Sequence, residues 1–138
     1  MADRKLYCEV VSPERVVYSG EADIVIARGV DGELGIMSHH VPIVTPLEIG
    51  ELRVKNNDKQ EYIAVMGGYL EFRNEKVTVL ADVAEMASQI DVSRAEKKRE
   101  ERERELAEAR QLSDEALLEV EISLKKALTR IKVAQRAR

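Results

Sequence analysis

From residue 82 to the end the chain contains neither glycine nor proline, whereas residues 1–81 carry all seven glycines and all three prolines. The two parts therefore fold by different rules. Ala, Glu, Lys, Arg and Leu, all strong helix formers, dominate the second part. The first part consists of short apolar runs separated by turn residues at intervals of roughly 8–12, the pattern of an antiparallel sandwich or barrel.

The strand-like runs are LYCEVVS, RVVYSG, DIVIARG, ELGIM, VPIVTPLEI, ELRVKN, EYIAVMG, GYLEFRN and KVTVLADV. Asn56-Asn57-Asp58 and Arg73-Asn74-Glu75 lie between such runs, where hairpin turns exploit the tolerance of Asn and Asp for positive φ. No crossover helix fits among them. The expected architecture is an antiparallel β-sandwich of about nine to ten strands over residues 1–86, followed by a C-terminal αα-hairpin over residues 87–138.

Two helices are expected, divided near RQLSDE, with Asp91 capping the first and Ser113 or Asp114 capping the second. In the second, Leu117, Val120, Leu124, Leu128, Ile131 and Ala134 recur at spacings of three and four and form an apolar seam. The corresponding row of the first is Ala95, Lys98, Arg102, Leu106 and Ala109, charged in its middle. Ion pairs such as Lys97 with Glu101 support such a helix by only ~0.2–0.5 kcal/mol each. Most helix stability in proteins comes from burying an apolar face. This segment is therefore either a weakly docked element that moves or a solvated helix resting on its partner.

Aromatic residues are 4% of the chain and Trp is absent, so the core is aliphatic. The net charge of −4 conceals a polarity: residues 125–138 carry six basic groups and no acidic one, leaving 16 basic and 26 acidic groups in residues 1–124. The acidic body argues against general nucleic-acid binding, which needs a basic face to displace counterions. The basic tail suits an acidic protein surface. A single cysteine, Cys8, precludes an intrachain disulfide. The opening MADRKLYCEV has no signal-peptide core, and no run approaches the ~20 apolar residues of a membrane span, so membrane association is expected only through a partner.

Gly32, Gly35, Gly67 and Gly68 read as turn, bulge or close-contact positions, without phosphate-loop or dinucleotide spacing. His39 and His40 are adjacent, so on a strand they point to opposite faces, which is poor geometry for one metal. No nucleophile elbow, cysteine pair or metalloprotease helix is present, and no catalytic residue, metal or required cofactor is expected. Asp91 and Arg94, in IDVSRA, read either as a cap with an i,i+3 ion pair or as a ligand site in which Arg94 contacts phosphate. Lys126 and Arg130 share a helix face, either to complement the helix C-terminus or to converge on an anion.

The segments VVSPERVVYSGEAD, GELGIMSHHVPIVTPLEIG, YIAVMGGYLEFRNEKVTVLADVAE and IDVSRA, together with the helical end, make the chain similar to the epsilon subunits of bacterial F-type ATP synthases. The resemblance covers nearly the whole chain. It implies a non-catalytic rotor subunit of the central stalk, peripheral on the cytoplasmic face of the bacterial membrane, that couples the catalytic head to proton translocation. The sandwich would bind the gamma subunit and the c-ring. The helices would alternate between a compact form and an extended form that enters among the alpha and beta subunits and inhibits ATP hydrolysis.

In some members ATP binds the compact hairpin as a regulatory ligand. That pattern falls here on Glu85, Ile90, Asp91, Arg94, Ala95, Lys126 and Arg130, with Lys126 where the family has an arginine and Glu101, beside Arg102, where it has another. The inhibitory contacts of the extended form would fall on the basic tail, Lys125, Lys126, Arg130, Lys132, Arg136 and Arg138. Laid end to end as helix, residues 92–136 would reach about 65–70 Å. A different reading of the same features is a free-standing ATP-sensing module that signals through its helices. An enzyme with a site in the sandwich is the third.

Overall fold

The computed structural model describes residues 4–108 and 112–137. Eight strands come first: β1 Leu6–Val11, β2 Val16–Ala22, β3 Ile24–Gly29, β4 Gly32–Met37, β5 Ile43–Asn56, β6 Lys59–Arg73, β7 Lys76–Ala81 and β8 Ala84–Met86. A 3-10 turn, Ala87–Gln89, leads into α1, Val92–Ala107, and then α2, Asp114–Gln135. The middle of the junction between the helices, and Arg138, lie outside the described residues.

Hydrogen bonding orders the sheet β2-β1-β7-β6-β5-β3-β4, with β8 attached to β6. All pairings are antiparallel except that of β1 with β7, which run parallel with Cys8 opposite Val77 and Val10 opposite Val79. Period-two alternation turns Leu6, Cys8 and Val10 inward and Tyr7 outward. Every strand contributes to one core: Val10, Ala22, Val25, Ile36, Leu52, Leu70, Val77 and Ala84 belong to a single buried cluster. A flat sheet could not bring its two edges into one cluster, so the sheet folds over itself as a sandwich. Burial pushes the Cys8 thiol up to about 12, so it is a neutral core residue.

The strand count is eight because two pairs of sequence runs fuse, VPIVTPLEI with ELRVKN into β5 and EYIAVMG with GYLEFRN into β6, while the three-residue β8 is added. Gly50 and the Gly67-Gly68 pair, which punctuate those runs, lie inside continuous strands. Gly67 and Gly68 have φ of +86° and +125°, and a Cβ on Gly68 would stand 2.1 Å from the Leu80 carbonyl oxygen. At this bend β6 changes partner, pairing with β8 at Ile63–Val65 and with β7 from Gly68 onward.

The hairpin turns fall where Asn and Asp mark them. Arg73 pairs with Lys76 across Asn74 and Glu75, with φ of 52° and 59°, the geometry of a type I′ turn. Asn57, at φ 58°, turns β5 into β6. Glu75 also accepts from the Ser38 hydroxyl and, at 2.8 Å, from the backbone N–H of His39, tying the β4–β5 loop to this turn. At the other end of the sandwich, Lys5 donates to Asp23 at 2.8 Å, Asn56 at 2.5 Å and Asn57 at 2.9 Å.

The two helices differ as their patterns require. Ala95 is the one buried residue of α1. In α2 Ala127, Ile131, Val133 and Ala134 are buried, whereas Leu128, assigned to the seam from its spacing, is 44% exposed. Val133 and Ala134 join Ala64, Met66 and Ile90 in a second, smaller core on the outside of β6. The hairpin thus hangs on the sandwich by the C-terminal end of α2, and α1 packs against α2.

Candidate functional site

Asp91 stops the extended backbone with φ −81° and ψ 95° and accepts the Arg94 N–H at 3.0 Å, so it caps α1. Ser113 caps α2 in the same way, accepting from Ala116 at 3.1 Å. The Arg94 guanidinium makes no ion pair with Asp91 among the described residues. Of the cap and the i,i+3 ion pair expected at IDVSRA, the cap is present and the ion pair is absent among the described residues.

The α1 N-terminal half, the C-terminal half of α2 and β8 enclose a cleft of about 200 Å³. Glu85 of β8 and Gln89 of the 3-10 turn form its base. Asp91, Arg94, Ala95 and Lys98 line it from α1, and Ala127 and Arg130 from α2. Burial of Ala95 and Ala127 shows why these positions are small: the helices approach closely there. Arg130 Nε donates to Glu85 Oε1 at 2.6 Å across the cleft, with both side chains about one third exposed or less.

Of the residues assigned to this site from sequence, Glu85, Asp91, Arg94, Ala95 and Arg130 converge on the cleft. Ile90 lies beneath it in the smaller core, 8% exposed, where it anchors the turn into α1. Lys126 is half-buried but does not line the cleft. Gln89, Lys98 and Ala127 line it and were not assigned. The signal for Lys98 was its i,i+4 spacing from Arg94, which places both on one helix face.

The basic residues of α2 meet acidic residues of the sandwich. Lys125 stands 3.6 Å from Glu48, and Arg136 pairs with Glu51 at 3.0 Å while lying 5.0 Å above the Tyr62 ring. Lys132 and Lys125 line a groove of about 280 Å³ together with Arg28, Glu33, Glu48 and Glu51. His39 and His40 serve separate structural contacts. His39 Nε2 meets Arg4 at 2.6 Å, and His40 bonds the Val41 carbonyl at 2.7 Å with its ring edge-on to Phe72.

Residues 5–87 match the family model described as "ATP synthase, Delta/Epsilon chain, beta-sandwich domain". The ATP synthase epsilon chain of Brevibacillus brevis is 53% identical over 105 residues, covering 75% of this chain and 80% of that one. The epsilon chain of Lactobacillus gasseri is 46% identical over 142 residues, covering 98% and 97% respectively. The same fold occurs in a chain of the Euglena gracilis mitochondrial ATP synthase, with a TM-score of 0.77 at 18% identity over 96% of this chain and 80% of that one. No described helix is long and apolar enough to cross a membrane. A family model spanning the sandwich, and relatives that continue the match through both helices, place the chain in the ATP synthase epsilon chain family.

Proposed function

We propose that the chain is a non-catalytic rotor subunit of the central stalk of a proton-translocating F-type ATP synthase, peripheral on the cytoplasmic face of the bacterial membrane. In this reading the sandwich binds the gamma subunit and the c-ring, and the helices inhibit ATP hydrolysis when they leave the sandwich and enter among the alpha and beta subunits. The exposed apolar side chains of the sandwich support a docking role. Val44 and Tyr69 are 66% and 56% exposed, Leu80 is 55%, and cross-strand register places Tyr69 opposite both Pro46 and Leu80. Around the β4–β5 connection Met37 and Val41 are 58% and 69% exposed.

The observation that carries the regulatory part is the way α2 is held. Its basic residues Lys125, Arg130 and Arg136 are paired with Glu48, Glu85 and Glu51 of the sandwich, while α1 adds one buried alanine. Charges meant for an acidic partner surface are thereby occupied in the compact form, by pairs whose α2 members remain partly exposed. ATP in the cleft favours the compact form because it contacts both helices. At tenfold its dissociation constant it contributes ~1.4 kcal/mol, enough to tilt a marginal balance.

The test is charge reversal at Lys125, Arg130 and Lys132 in the assembled enzyme. Faster ATP hydrolysis is expected. Hydrolysis at the wild-type rate would count against insertion by the basic tail.

A further inference from the structure

Arg94 and Lys98 stand one turn apart on α1 and both line the cleft, with Arg130 facing them from α2. Of these three cations, Arg130 alone has an ion-pair partner among the described residues, Glu85 at 2.6 Å. Asp91 also lines the cleft, but its carboxylate caps α1 and makes no ion pair with Arg94 or Lys98 among the described residues. Three cations against two carboxylates, Glu85 and Asp91, leave the lining of this cleft of about 200 Å³ with an excess of positive charge, and two of the cations, one of them half-buried, have no ion-pair partner among the described residues.

We infer that Lys98 is a phosphate-binding residue of this cleft, and that it supplies from α1 the positive charge that the family pattern assigns to Lys126 on α2. The inference rests on the reading of the cleft as a nucleotide site and specifies its ligand as a nucleoside polyphosphate. Arg94 offers planar, forked donors to one phosphoryl group. Lys98, a point charge on a flexible stem, holds the next one along the α1 face. Lys126, half-buried on α2, does not line the cleft.

The experiment is calorimetric titration of the full chain with ATP across a series of salt concentrations, on wild type, Lys98→Met, Lys98→Arg and Lys126→Met. Circular dichroism confirms that each variant keeps its helices. Lys98→Met should weaken ATP about tenfold at low salt and flatten the salt dependence, since one phosphate contact is lost. Lys98→Arg should recover most of the affinity, and Lys126→Met should match wild type.

Wild-type affinity in Lys98→Met, with ATP still binding wild type, would overturn the role of Lys98 and leave the nucleotide site standing. Weakened binding with an unchanged salt dependence would make Lys98 a support of helix packing and overturn it equally. Absence of saturable ATP binding to wild type would overturn the nucleotide site itself, and Lys98's role with it.

Discussion

The Arg136 guanidinium donates to both carboxylate oxygens of Glu51, from Nε at 3.0 Å and from Nη2 at 3.3 Å, across 85 residues of sequence. The Glu51 side chain is 8% exposed and has Arg53 3.8 Å away, so it remains held when Arg136 leaves. Arg136, 41% exposed, is the partner that lets go. Arg136→Ala should therefore loosen the end of α2, less so at high salt, with little effect on the sandwich. Hydrogen exchange would show it as faster exchange over α2 with β6 unchanged. Uniform acceleration across both would contradict a local clasp.

Val133 is fully buried where α2 meets β6. Val133→Ala removes two methyl groups there and should weaken helix docking by about 1.5–2.5 kcal/mol. Because that core is separate from the one inside the sandwich, the thermal transition of the strands should persist while the helical signal melts earlier. A single shifted transition would mean that the two cores unfold together.

Gly68 occupies φ +125° with its backbone against Leu80. An alanine there meets both positive-φ strain of ~1–3 kcal/mol and a carbonyl that belongs to the β7 ladder. Gly68→Ala should yield little folded protein. Gly67→Ala shares the positive-φ strain at +86° but meets only the Asp82 carboxylate at 3.1 Å in place of backbone, and should be milder. Equal midpoints for the two variants in urea would refute the clash.

Two half-buried carboxylates, Asp23 and Glu75, contribute to the acid limb of stability. Hydrogen bonding from Lys5 and from the Asn57 backbone lowers the pKa of Asp23, and bonding from Ser38 and from the His39 backbone lowers that of Glu75. A lowered folded pKa contributes stability that is complete above the unfolded value, about 4, and is lost as pH falls through the folded value. Glu75→Gln and Asp23→Asn should thus melt below wild type at neutral pH and converge with it in strong acid. A gap that persists at low pH would point to a packing effect in place of ionisation.

Local chemistry was legible wherever a few adjacent residues decide the backbone. Asn74 and Glu75 turn because a two-residue hairpin needs positive φ, and Asp91 and Ser113 cap because a helix start needs an acceptor. Where distant residues decide, the pattern misled or was silent. Gly67 and Gly68 mark a bend inside β6 because β7 and β8 pair on either side of it, and Leu128 is exposed because α2 turns its Val133 side to the sheet. The parallel pairing of β1 with β7 leaves no local trace at all. In the cleft, Arg94 and Arg130 stood out as charges, while Lys98 was hidden among ten consecutive charged residues, where spacing alone separates a lining side chain from a solvated one.

Strands β5 and β6 run through the bend and belong to both layers of the sandwich. A torque applied to one layer therefore reaches the other along continuous covalent backbone. The glycine pair is thus the point at which β6 changes partner strand while its backbone stays continuous.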